Sequence, residues 1–126
     1  MPSKRLKLTG LELMRLRTDV FERDRWRCVA LTLDETHVCT DQYGPIHPGE
    51  WHYVEVLTLE HVPKFSALGR RADDCVEECL TLCLGANSFT GWSSRWRHEE
   101  RAHLAKLYPE HWSDVPEVAA VLDSGA

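Results

Sequence analysis

The chain contains no run of about 18 apolar residues, so nothing in it reads as a membrane-spanning helix. Its opening, MPSKRLKLTG, is basic but lacks the apolar stretch of a secretion signal. A reducing, cytoplasmic setting is the expectation. In that setting the five cysteines read as free thiols or metal ligands rather than disulfides. Internal repeats and low-complexity segments are missing too, which removes solenoids and flexible linkers from consideration. Lysine and arginine are absent from residues 110–126, which carry four acidic side chains. That tail would repel a polyanion and is expected to fold away from one.

What is present suits one small domain: 126 residues, 43% hydrophobic and 28% charged. The net charge of −5 hides an uneven distribution. Residues 1–27 carry eight Lys/Arg against four Asp/Glu, whereas residues 28–109 carry seven against twelve. Arginines gather at Arg23, Arg25 and Arg27, at Arg70 and Arg71, and at Arg95, Arg97 and Arg101. Trp26, Trp92 and Trp96 lie among them, a pattern that serves either solvated helix faces over core tryptophans or contacts with phosphates and bases.

Leu13, Leu16, Val20 and Phe21 recur at helical spacing and predict a helix over 10–24, with Thr9 as N-cap. Residues 25–39 read as an irregular or hairpin segment, and 40–50, with two prolines and two glycines, as a loop. A strand is expected over 51–59 and a connecting loop over 62–74. A short helix is expected over 75–82, then a turn over 83–91. The longest helix is expected over 92–108, stopped by Pro109, with a further short helix near 115–122.

Within this order stand RDRWRC (23–28), Cys39, LTLEHV (57–62), GRRADD (69–74), ECLTLC (78–83) and Asn87. The ordered set resembles the HNH endonuclease family, and above all its short phage and actinobacterial members. The resemblance runs from about Arg23 to Tyr108. It implies an α+β fold: a small ββα-metal core over 23–108, with a basic N-terminal helix over 1–22 and an acidic tail over 109–126. It also implies a metal-dependent endonuclease that hydrolyses DNA phosphodiesters. His61 would be the general base, and Glu60 and Asn87 would hold Mg²⁺ or Mn²⁺. Oxygen donors suit those hard cations, and an imidazole that is neutral near pH 7.5 suits the base. Glu78 stands where the family's central Asn usually braces the loop, and Ala86 stands where relatives often carry a Cys or His.

Relatives of this type often hold a structural zinc. Cys28, Cys39 and Cys83 match three ligand positions, and Cys79 could replace the ligand lost at Ala86, since Cys75, Cys79 and Cys83 would share a face if their segment were helical. Small buried apolar packing is the competing role for these thiols. His37, His47 and His52 show no partner at this level. Arg70, Arg71, Arg95, Arg97 and Arg101 are the expected phosphate contacts. DNA is the expected partner, and phage packaging proteins (terminase or portal) follow from the resemblance. A zinc-stabilised DNA- or protein-binding module without catalysis is the rival reading.

Overall fold

The computed structural model describes residues 7–64, 72–116 and 118. Helices α1 (Gly10–Arg23) and α2 (Ala30–Leu33) are followed by a two-residue ladder of β1 (Thr40–Asp41) with β2 (Gly44–Pro45). A 3₁₀ turn, Tyr53–Val56, leads into β3 (Leu57–His61). A second 3₁₀ turn, Val76–Glu78, leads into β4 (Cys79–Cys83). A wide π-type turn, Gly85–Phe89, then opens the helical end of the chain: α3 (Trp92–Arg95), α4 (Arg97–Leu107) and α5 (Pro109–Trp112). The result is a small α+β fold with two separate antiparallel ladders, as the sequence leads one to expect at the level of class.

Strands β3 and β4 pair antiparallel, with Leu57 opposite Cys83 and His61 opposite Cys79. The expected helix over 75–82 is overturned. Every residue of CLTLC is buried, so β4 shows no alternation, and its cysteines at every fourth position imitate a helical face. The expected strand over 51–59 is shifted: Trp51 is 84% exposed, and extended backbone begins only at Leu57. The segment expected to be a loop holds the β1–β2 ladder. The C-terminal helix is divided, because the chain breaks at Trp96 between α3 and α4 and continues past Pro109 into α5. Proline is tolerated there as the first residue of a new helix.

Helix α1 buries Leu16, Val20 and Phe21. Leu16 and Val20 pack with Cys79 and Leu59, while Phe21 joins the main core around Leu80, Leu82, Trp92, Leu104 and Trp112.

The RDRWRC segment has a definite structural task. Strand β4 pairs with β3 on one edge only, so the backbone groups of its other edge need partners. Arg23 donates to the carbonyls of Val76 and Cys79, each at 2.6 Å. The Asp24 carboxylate accepts the Thr81 N–H at 3.0 Å, Val29 N–H reaches the Thr81 carbonyl at 2.8 Å, and Cys83 N–H reaches Cys28 Sγ at 3.2 Å. The turn over residues 23–29 thus covers this edge of β4 with side-chain and backbone hydrogen bonds. To turn into this path, Arg25 and Trp26 adopt φ values of 60° and 54°, a left-handed conformation that is uncommon outside glycine.

Candidate functional site

Both ends of β4 carry chemistry. At its C-terminal end, Cys83 meets Cys28, His37 and Cys39, with one donor atom of each residue within 4.8 Å of all the others. Cys28, Cys39 and Cys83 are buried. His37 Nε2 stands 3.9 Å from Cys28 Sγ and 3.5 Å from Cys83 Sγ. For a tetrahedral zinc with Zn–S near 2.3 Å and Zn–N near 2.0–2.1 Å, the ligand-to-ligand edges are about 3.6–3.8 Å. Three thiols and one imidazole at these separations form a group that could hold a metal ion such as zinc.

The electrostatics of the group agree with that use. Hydrogen bonds from the Cys28 and Cys39 thiols, with further help from His37 and the Ala86 N–H, pull the Cys83 thiol far below its ordinary pKa. The same bonds to Cys39 and Cys83, and then burial, push Cys28 far up. Burial lowers the pKa of His37, but its bonds to Cys39 and Cys83 outweigh that and raise it to about 9. The three thiols and the imidazole thus share protons through these bonds. A divalent cation would displace these protons and take all four donors.

The structure brings His37, for which the sequence offered no partner, into this group, and it leaves Cys79 outside. Cys79 Sγ lies 4.0 Å from the Asp73 carbonyl and packs beside Leu16 and Val20. A signal for His37 did exist: it lies two residues before Cys39, and on an extended segment such residues share a face. Trp92 is buried beside this group, its ring 5.7 Å from that of His37 and its Nε1 donating to Asp34 at 3.0 Å. It stacks on Trp96 and offers no open face for a base.

The other end of the β3–β4 pair holds Glu60 and His61. His61 Nε2 lies 2.7 Å from Asp74 Oδ1, and the buried Asp74 also accepts the Leu8 N–H at 2.7 Å. His61 remains 33% exposed at its side chain, and it borders a cleft of about 380 Å³ together with Leu13, Met14, Arg17, Thr58 and Leu59. Glu60 turns the opposite way and is buried. Its carboxylate lies 3.6 Å from Arg97, which also donates to the His61 carbonyl at 3.0 Å. Burial raises the Glu60 pKa, against the charge of Arg97 and a bond from Ser93. Ser93 also donates to Glu100, a fully buried carboxyl pushed up to about 8 by burial and by the charge of Glu60.

Asn87, in the wide turn after β4, donates its amide nitrogen to Thr58 Oγ1 at 2.9 Å, and Thr58 in turn donates to the Leu82 carbonyl at 2.8 Å. Thr58 and Glu60 alternate with His61 along β3, so Asn87 lies on the Glu60 side of the strand. The turn comes this close to β1 because Gly85 has no side chain; a Cβ there would collide with the Thr40 side chain. Glu60 and His61 thus end β3 on opposite faces, Asn87 meets the same strand at Thr58, and no hydrogen bond among the described residues joins any two of the three.

No family model, curated protein or solved structure matches the chain. The arrangement of its own residues carries the functional reading.

Glu78 braces the loop before β4, its Oε1 accepting the Asp73 N–H at 3.3 Å and its backbone carbonyl accepting the Val62 N–H at 2.8 Å. Two of the arginines expected to meet phosphates have partners within the fold. Arg101 is buried and donates to the Pro63 carbonyl at 2.9 Å, and Arg97 spends its guanidinium on Glu60, Glu100 and His61. Arg95 stays exposed. Arg70 and Arg71 lie outside the described residues, as does most of the acidic tail; no described helix is long and apolar enough to cross a membrane.

Proposed function

We propose that the chain is a metal-dependent, HNH-type endonuclease that hydrolyses phosphodiester bonds in DNA. One observation carries this reading: an antiparallel strand pair runs into a helical turn, Glu60-His61 ends the first strand, Asn87 occupies the turn, and Asp74 grips one nitrogen of His61. With Nε2–H donated to Asp74, the other ring nitrogen carries the lone pair and faces the work of a base: taking a proton from a water that attacks phosphorus. Asn87 uses its amide nitrogen on Thr58, which leaves the carbonyl oxygen for a hard cation. Glu60 supplies a carboxylate on the same side of the strand. It would exchange Arg97 for Mg²⁺ or Mn²⁺, a like-for-like replacement of one positive partner by another. The ion would stabilise negative charge on the scissile phosphate. Cys28, His37, Cys39 and Cys83 would hold a structural zinc that fixes the end of β4 next to this turn. A cytoplasmic DNA-processing role beside phage packaging proteins is the biological context that the family resemblance supports.

The ion pair of Glu60 with Arg97 favours a second reading, a zinc-stabilised binding module in which that carboxylate is structural. Supercoiled plasmid separates the two. Zinc-loaded protein dialysed free of other metals is incubated with and without added Mg²⁺ or Mn²⁺. Conversion to nicked or linear plasmid only with the added ion supports the enzyme. Zinc-replete, DNA-binding protein that leaves the plasmid intact with either ion supports the module.

A further inference from the structure

A second group of donors stands apart from both sites. Cys75 opens the 3₁₀ turn before β4, and Glu78 closes it. Side chains three residues apart eclipse in a 3₁₀ turn, so the Cys75 thiol falls 3.7 Å from Glu78 Oε2. From the far side, α5 brings His111 Nε2 to 2.8 Å from the same oxygen. One donor atom of each of the three residues lies within 4.8 Å of the other two. Glu78 is buried, whereas Cys75 and His111 are partly exposed. The Trp112 indole donates to the Glu77 carbonyl at 2.8 Å and pins α5 against the turn. His111 also borders a cleft of about 340 Å³ shared with Glu77 and Tyr108.

We propose that Cys75, Glu78 and His111 form a second metal site, open to solvent on one side, for a borderline-soft divalent ion of the zinc and cobalt type. A thiolate, a carboxylate oxygen and an imidazole nitrogen make a mixed set that such ions accept, and hard cations avoid the thiolate. The tetrahedral edges for these ligands are about 3.3–3.6 Å. The sulfur-to-oxygen separation is already close to that. The nitrogen-to-oxygen separation must open by about half an ångström as the metal replaces the shared proton. Charge balances as well, because the bound divalent ion faces two anionic ligands and one neutral ligand, with the thiol proton released to solvent. Three protein ligands leave a fourth position for water from the cleft. The ion would cross-link α5 to the segment that carries Asp74, the partner of His61, since Glu78 Oε1 holds the Asp73 N–H. The site does not depend on the nuclease reading.

The test compares zinc uptake by the full chain and by Cys75→Ser and His111→Gln, all reduced with a phosphine that does not bind metal. The expected result is one more equivalent of zinc on the parent protein than on either variant, with affinity for that equivalent reduced at least tenfold in each. Cobalt loading should add a thiolate-to-metal absorption band that Cys75→Ser removes. Equal uptake by all three folded proteins overturns the proposal. If circular dichroism shows a variant unfolded, alkylation of Cys75 in the parent chain decides. Zinc beyond the first equivalent should slow it several-fold, and an unchanged rate overturns the site.

Discussion

The two ends of the β3–β4 pair are built in opposite ways. At the Cys83 end, four donors from three stretches of chain converge within 4.8 Å of one another. The proposed catalytic donors are each held by a different partner: His61 by Asp74 and Glu60 by Arg97 at the far end, and Asn87 by Thr58 in the turn beyond Cys83. Thiols can share protons in a dry pocket, so packing alone brings soft ligands together. Hard ligands resist this. A buried carboxylate needs an immediate counter-charge or hydrogen bond, and without an ion the protein supplies one from its own side chains. The first end has its donors gathered where they could hold a metal ion. The second can receive one only by exchange.

The comparison breaks most decisively at the cysteines. Cys39→Ser should lower zinc content by at least one equivalent and abolish cooperative thermal unfolding, because a structural zinc contributes on the order of 10 kcal/mol. Cys79→Ser should keep the full zinc content and cost about 1–3 kcal/mol, the penalty for a hydroxyl in an apolar pocket. Elemental analysis with thermal melts reads both, and equal zinc content in the two variants would return Cys79 to the ligand set.

At the other end, His61→Ala should reduce plasmid cleavage by about 10²–10⁴-fold, the usual contribution of a general base. Asp74→Asn should reduce it less while leaving the Cys28, His37, Cys39 and Cys83 group intact, since it weakens the hold on the ring and the bond to the Leu8 N–H. Single-turnover nicking rates measure the difference, and wild-type cleavage by His61→Ala would remove that residue from the chemistry.

Glu100 sharpens the point about buried carboxyls. Its pKa is raised to about 8 in the folded protein, against about 4.3 for an unperturbed glutamate. Between these values the folded state keeps a proton that the unfolded chain releases. The stabilisation is therefore complete below about pH 4.3 and is lost as pH rises toward 8. Glu100→Gln should remove that loss and flatten the dependence of stability on pH, by on the order of a few kcal/mol across the window. Denaturant melts from pH 5 to 8.5 test it; parallel curves for the two proteins would mean that Glu100 ionises normally.

The smallest effect is expected at Arg95, the one cation of the Arg95, Arg97 and Arg101 cluster left exposed. Arg95→Ala should lower the log–log slope of DNA affinity against salt by about 0.9 if it neutralises one phosphate. Anisotropy with a short duplex in Ca²⁺ measures it, and an unaltered slope would make Arg95 part of a solvated face.

Local pattern by itself determined α1, through the spacing of Leu16, Val20 and Phe21, and the helical region after Trp92, through Trp92 and Leu104. It also determined that Glu60-His61 would stand at the end of a strand and that Asn87 would lie in a turn after the cysteine segment. Hydrophobic period and order along the chain suffice for these. Tertiary structure decided the rest. Strand β4 is buried on both faces, so its sequence lacks the alternation that would distinguish it from a helix. His37 rather than Cys79 joins the metal group, because the choice rests on packing across 9 and 46 residues of chain. Arg97 and Arg101 turn inward for a similar reason: the carboxylates and carbonyls they satisfy come from β3 and the residues just after it. A charge in sequence names no partner, and only the fold decides whether water or a buried acid will satisfy it.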